Sequence, residues 1–180
     1  MPSHDRTRPT SDRVRESAFN LIADWAGTAG EPADSQLDRF SFLDLFAGSG
    51  AVALEAASRG ASPVVAVEKD ASTASLARRN AEALDLGVRV VAASVEAFLG
   101  GREPQPFDVV WLDPPYALTS DAVARVGVLV LHGGWLAEDG LLVAERATRD
   151  AAPMWPPALQ RQWSRRYGET TLHFATREDA

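Results

Sequence analysis

The chain has no cysteine. That excludes disulfides, Cys-ligated zinc, iron–sulfur clusters and any cysteine nucleophile. It has only three histidines, His4, His132 and His173, far apart and in no His-Glu-x-x-His pattern. No metal site built by the protein is therefore expected. The opening MPSHDRTRPTSDR lacks the apolar run of a secretory signal. The longest apolar stretch, around Val123–Leu131, falls well short of a membrane span of about 20 residues. A cytoplasmic protein is expected, with no membrane partner. What is present suits one globular domain, 180 residues that are 46% hydrophobic and 24% charged.

A net charge of −7 argues against a simple polyanion binder. The distribution is less one-sided. Arg6, Arg8, Arg13 and Arg15 cluster near the start, and Arg161, Arg165 and Arg166 near the end. Every basic residue except Lys69 is an arginine, the side chain suited to forked phosphate contacts. Nucleic acid can then be met by local patches and not by total charge.

Val14, Ala18, Leu21, Ile22 and Trp25 share one face of a helix, with Thr10, Ser11 or Asp12 as its cap. A polar loop follows from Gly27 to Asp38. Strands are expected at Phe40–Leu45, Pro63–Val67, Val88–Ala92, Phe107–Leu112 and Leu141–Ala147. Helices are expected at Ala51–Arg59, Ala71–Leu84, Val95–Leu99 and Ser120–Val130. Near-continuous apolar strands alternating with helices indicate an α/β fold, a doubly wound, mostly parallel sheet covered on both faces. The tail RQWSRRYGETTLHFATR reads as an antiparallel hairpin turning at Tyr167-Gly168-Glu169 and added to the sheet edge. One domain over residues 1–180 is expected, with residues 1–10 flexible.

Phe42-Leu-Asp-Leu-Phe-Ala-Gly-Ser-Gly50 runs from the first strand into a helix. Gly48 and Gly50, with Ala53, match G-x-G-x-x-A, which permits a tight turn and close ligand approach. A turn that only starts a helix would account for the glycines alone. Two acids sharpen the reading. Asp44 would repel a pyrophosphate but could accept from an ammonium group, and Glu68, ending the second strand, could bind both ribose hydroxyls. Together they favour S-adenosyl-L-methionine over a dinucleotide. Ser94 and Val95, past the third strand, would meet its adenine.

Asp113-Pro114-Pro115-Tyr116 follows the fourth strand. Paired prolines hold a rigid, extended turn. Asp113 and the Pro114 carbonyl then offer two acceptors beside the Tyr116 ring, an arrangement suited to the exocyclic amine of a flat base. In sheet order 3-2-1-4-5, strands one and four are neighbours, so Asp44 and Asp113 should lie side by side.

RPTSDRVRESAFN, FLDLFAGSGAVALEAASRGA, VWLDPPY and YGETTL, in that order, resemble the bacterial 16S rRNA (guanine(966)-N(2))-methyltransferase family. The resemblance runs from Arg8 to about Ala175. It implies a Rossmann-like class I methyltransferase fold, S-adenosyl-L-methionine as donor, and a guanine N2 amine of small-subunit rRNA as acceptor, in an assembled or partly assembled particle. By motif it implies cofactor contacts at Asp44, Phe46, Gly48, Gly50 and Glu68, and target-base contacts at Asp113, Pro114, Pro115 and Tyr116. Members usually carry a short basic β-hairpin before the RPT segment. Only seven residues precede Arg8 here, so that hairpin is expected to be absent. Arg8, Arg13 and Arg15 are then expected to contact RNA beside the site, and the protein to be a monomer. Other readings are an adenine-N6 methyltransferase with the same Asp-Pro-Pro-Tyr turn, a nicotinamide oxidoreductase domain, and an inactive RNA-binding assembly factor.

Overall fold

Helix α1 (Asp12–Ala26) buries Val14, Ala18, Phe19, Ile22 and Ala23, a single apolar stripe. The computed structural model describes residues 12–101 and 104–177; the expectations for residues 1–10, for Arg8 and for a cap at Thr10 or Ser11 lie outside them. The polar loop after α1 contains one short 3-10 turn, Ala33–Ser35. Strands and helices then alternate as β1 (Phe42–Asp44), α2 (Ala51–Ser58), β2 (Val64–Glu68), α3 (Ala71–Ala83), β3 (Val88–Ala92) and α4 (Val95–Gly100). They continue as β4 (Phe107–Leu112), α5 (Ser120–His132), β5 (Leu136–Ala147), β6 (Arg161–Tyr167) and β7 (Thr170–Thr176).

The sheet has seven strands in the order β3-β2-β1-β4-β5-β7-β6. β1 pairs in parallel with both β2 and β4, while β5–β7 and β7–β6 are antiparallel. The hairpin turns at Gly168, whose φ of 61° suits a tight reversal. Two strands differ most from the sequence pattern. β1 is shorter at both ends. β5 begins at Leu136, five residues early, because Leu136 pairs with Phe107 ahead of an irregularity in register. The intervening Ala-Glu-Asp-Gly looks like a loop in composition, yet pairing of the flanking apolar residues carries the strand through it.

Alternate residues of each strand feed two separate cores. Leu43, Leu45, Val65, Val67, Val110 and Leu112 pack with α4 and α5. Phe42, Val64, Ala66, Val109 and Trp111 pack with α1 and α2. The starts of β1 and β4 are clamped together: Asp108 Oδ2 accepts from Ser41 N at 2.7 Å and from Ser41 Oγ at 2.6 Å. That clamp fixes the register in which Asp44 lies opposite Trp111.

Candidate active site

Strand parity puts three carboxylates on one face. Phe42 and Asp44, Ala66 and Glu68, and Trp111 and Asp113 each sit two residues apart along adjacent chains. The side chains therefore project to the same side of the sheet, at the C-terminal ends of β1, β2 and β4. This is the switch point of the sheet, where strand order reverses and ligands bind in open α/β folds.

Asp44 is 1% exposed. Burial, the negative charge of Asp113 and that of Glu68 push its pKa from the usual 3.8 to about 8, against the lowering effect of hydrogen bonds from the Phe46 and Ala53 amides. Phe46 N donates to Asp44 Oδ1 at 3.3 Å. At neutral pH this carboxyl keeps its proton unless a cation is brought against it. The half-buried Phe46 ring packs on the α4–α5 core.

The glycine turn is held by the second acid. Glu68 Oε2 accepts from Gly48 N at 2.9 Å and Oε1 from Asp70 N at 2.8 Å. Lone pairs remain on both oxygens for a ribose diol. Asn80 Nδ2 donates to the Ser49 carbonyl at 3.0 Å, tying the turn to α3. Gly50 has φ 88°, and a Cβ there would meet Ala77 Cβ at 3.3 Å. Gly48, at φ 53°, has nothing within 4 Å of a would-be Cβ, so the turn presents open space on that side. Asp70 caps α3 through Thr73 N at 2.7 Å, which leaves Glu68 no capping role there. Ser94 caps α4 by accepting from Ala97 N at 3.1 Å, and the Val95 side chain is buried in the core. What these two residues still present to a ligand is mainly backbone.

After β4, Pro114 is buried, Pro115 half-buried, and Tyr116 is 52% exposed. Leu118 N donates to the Pro115 carbonyl at 2.8 Å. The buried Arg146 of β5 reaches across to this loop, its Nη2 donating to the Leu118 carbonyl at 2.8 Å and pairing with Asp150 at 2.9 Å. Sequence reasoning missed Arg146 and Asn80. The signal for Arg146 was parity: it alternates with Leu142 and Ala144 in an apolar strand, so burial was predictable. Of the arginines expected beside the site, Arg13 is exposed. Arg15 is engaged by Asp12 at 2.7 Å and Glu55 at 3.8 Å.

Residues 1–176 match the family described as "Conserved hypothetical protein 95". The chain belongs to that family. It is 33% identical over 159 residues to the ribosomal RNA small subunit methyltransferase D of Escherichia coli K12, covering 87% of this chain and 72% of that protein. The Haemophilus influenzae protein of the same name is 33% identical over 144 residues, covering 77% and 67%. Among solved structures, a hypothetical protein of Thermus thermophilus superposes with a TM-score of 0.76 at 32% identity, covering 98% of this chain and 91% of that one. A T. thermophilus 16S rRNA guanine-N2 methyltransferase, solved with AdoMet and guanosine, shares the fold with a TM-score of 0.70 at 22% identity, covering 98% and 45%.

The guanine-N2 methyltransferase structure holds AdoMet, and the residues gathered here can be tested against such a group. A carboxyl buried beside an open glycine turn ionises at neutral pH only when a cation is brought against it, and S-adenosyl-L-methionine carries an ammonium group and no phosphate. Among the described residues no group of three or more His, Asp or Glu is spaced to hold a metal ion.

Proposed function

We propose that this chain is an S-adenosyl-L-methionine-dependent methyltransferase acting on the N2 amine of a guanine in 16S rRNA, at the position 966 implied by the family resemblance. The observation that carries the proposal is the juxtaposition of Asp44 and Asp113. Each raises the other's demand for positive charge, on neighbouring strands, at the mouth of an open glycine turn. The names of the rRNA methyltransferase relatives support the same reading.

When bound, the cofactor supplies an electrophilic methyl on a sulfonium. Asp44 would receive its ammonium group and Glu68 its ribose, with the Gly48–Gly50 turn close against it. The protein's task at β4 is to hold the amine. Asp113 and the Pro114 carbonyl accept from its two hydrogens, and the exposed Tyr116 ring gives the base a face to stack on. An aromatic exocyclic amine is nearly planar and becomes tetrahedral as its new bond forms. Acceptors placed for the tetrahedral arrangement favour the transition state over the ground state. No strong general base is needed: as the N–C bond forms and the S–C bond breaks, leaving a neutral thioether, the nitrogen would become acidic and its proton would pass to solvent. Both halves of the site come from one chain, so a monomer in the cytoplasm suffices.

The test is methyl transfer from isotope-labelled cofactor to three substrates: small ribosomal subunits lacking the modification, naked 16S rRNA, and duplex DNA. Label in ribosomal RNA supports the proposal, with the particle preferred. Label confined to DNA, or calorimetric binding of NADH without binding of S-adenosyl-L-methionine, overturns it.

A further inference from the structure

The second arginine cluster has no part in the site described above, yet the topology gives it a defined place. β6 is the edge strand and runs in the same direction as β5, so its C-terminal end lies at the same rim of the sheet as the site. Extending the paired rows from Leu112 through Ala144, His173 and Ser164 by one residue puts Asp113 level with Glu145, Leu172 and Arg165. Three strand spacings of about 4.8 Å separate them, about 14 Å in all.

Parity also fixes the face. Trp163 lies opposite Phe174 and Arg165 opposite Leu172, and Phe174 and Leu172 belong to the core beneath α1. Arg161, Trp163, Arg165 and Tyr167 therefore form one stripe on the face that also carries Asp44, Glu68 and Asp113. Trp163 stacks on Phe174 with centroids 5.2 Å apart and planes 7° apart, which makes the stripe rigid. The Arg161 guanidinium lies 5.3 Å from the Trp163 ring centroid. Arg161, Arg165 and Arg166 are all exposed. Among the described residues none of the three is within 4.0 Å of a carboxylate; Arg165 and Arg166 bond only the carbonyls of Ser164 and Gly168. The nearest acid along the chain is Glu169, in the turn.

We infer that the β6 stripe, Arg161-Trp163-Arg165 with Arg166 on its rim, is a docking surface for the RNA backbone flanking the target nucleotide. The inference rests on the rRNA methyltransferase reading. Charge complementarity carries it. A chain of net charge −7 that lines its reaction centre with carboxylates repels phosphate there. RNA delivering a base to Asp113 needs cations set back from those acids on the same face. Arg15 has its charge answered by Asp12 and Glu55; among the described residues, no carboxylate does the same for the β6 arginines. Exposed guanidinium forks on a rigid strand also suit the phosphates of unpaired nucleotides.

The experiment compares the wild-type protein with Arg161→Glu/Arg165→Glu and with Arg89→Glu/Arg125→Glu, an equal charge change on exposed residues of β3 and α5. Binding to small ribosomal subunits and to naked 16S rRNA is measured across a salt series, alongside S-adenosyl-L-methionine affinity and thermal midpoint. We expect the β6 variant to lose roughly ten-fold in RNA affinity near physiological salt. Its log–log salt slope should shrink by about 1.4, or about 0.7 per lost contact. Cofactor affinity and midpoint should stay unchanged, and the second variant should bind RNA nearly as the wild type does. Equal loss in both variants, or no loss in the β6 variant, overturns the surface. A wild-type protein that binds the particle through β6 but methylates nothing overturns the functional reading and leaves the surface standing.

Discussion

The turn after β1 is braced by the β2 and α3 side of the sheet, whereas the loop after β4 is braced by β5 and the segment that follows it. Between Asp44 and Asn80, the glycine turn is held by Glu68 Oε2, the Asn80 amide and the close wall of Ala77. In the Asp-Pro-Pro-Tyr loop the prolines and the hydrogen bond from Leu118 N to the Pro115 carbonyl act locally. Beyond that the loop depends on Arg146 reaching Leu118, and on Ser120 Oγ donating to the Ala151 carbonyl at 2.6 Å. The first region is a braced backbone turn with open space beside Gly48. The second can be tuned, or damaged, through the C-terminal half without touching the first. Changes at β4 and β5 should therefore affect turnover and base placement, and changes at β1 and β2 should affect cofactor affinity.

The largest expected effect lies at Asp113. Asp113→Ala should raise the barrier by about 3–4 kcal/mol, the usual cost of removing a preorganised group aimed at developing charge. Single-turnover rates would show this, while calorimetry gives an unchanged cofactor affinity. Asp44→Asn should do the opposite, weakening cofactor binding by about 1.5–3 kcal/mol, the worth of a hydrogen bond to a charged group. A parallel fall of affinity and rate in both variants would erase the division between the two regions.

Asp44 also gives the comparison a pH signature. It keeps its proton to about pH 8, where a free aspartate loses it near 3.8. Between those values the folded state binds more protons than the unfolded state. This carboxyl's contribution to stability is therefore complete below 3.8 and is lost as pH rises towards 8. Ligand-free Asp44→Asn should gain stability over the wild type as pH climbs from 5 to 8, read from denaturant midpoints. Ammonium binding ionises the wild-type carboxyl, so cofactor binding at pH 7 should release a proton. Calorimetry in two buffers of different ionisation enthalpy would detect it, and Asp44→Asn should abolish it.

Smaller effects sharpen the contrast. Arg146→Met should cost roughly 1–3 kcal/mol of stability through lost hydrogen bonds of a buried group. It should also raise the KM for RNA with little change in cofactor affinity, and Arg146→Lys should restore only part of this. Ser94→Ala should cost about 1 kcal/mol of stability, because its oxygen caps α4 by accepting from Ala97 N.

Much of this arrangement was legible in the sequence because it is carried by contiguous residues. Apolar strands alternating with helices pointed to the sheet order. An acid, two glycines and a second acid marked one half of the site, and Asp-Pro-Pro-Tyr the other. What was hidden depends on partners distant in the chain. The Ala-Glu-Asp-Gly stretch inside β5 looks like a loop until Leu136 is paired with Phe107. Arg15 looks like a free cation until α2 brings Glu55 beside it. Arg146 has a burial that strand alternation implies, but the loop it braces, 28 residues earlier in sequence, is visible only in the fold.

One observation bears most directly on chemistry at Asp113: the identity of the atom that receives the methyl group. Small ribosomal subunits lacking the modification would be incubated with the protein and isotope-labelled S-adenosyl-L-methionine. The 16S rRNA would then be digested to nucleosides and resolved by mass spectrometry. We expect the label in N2-methylguanosine, at one equivalent per particle, and its loss with Asp113→Ala. Label in N6-methyladenosine or in a ring-carbon-methylated pyrimidine, or label that persists undiminished in Asp113→Ala, would contradict an amine held at the end of β4.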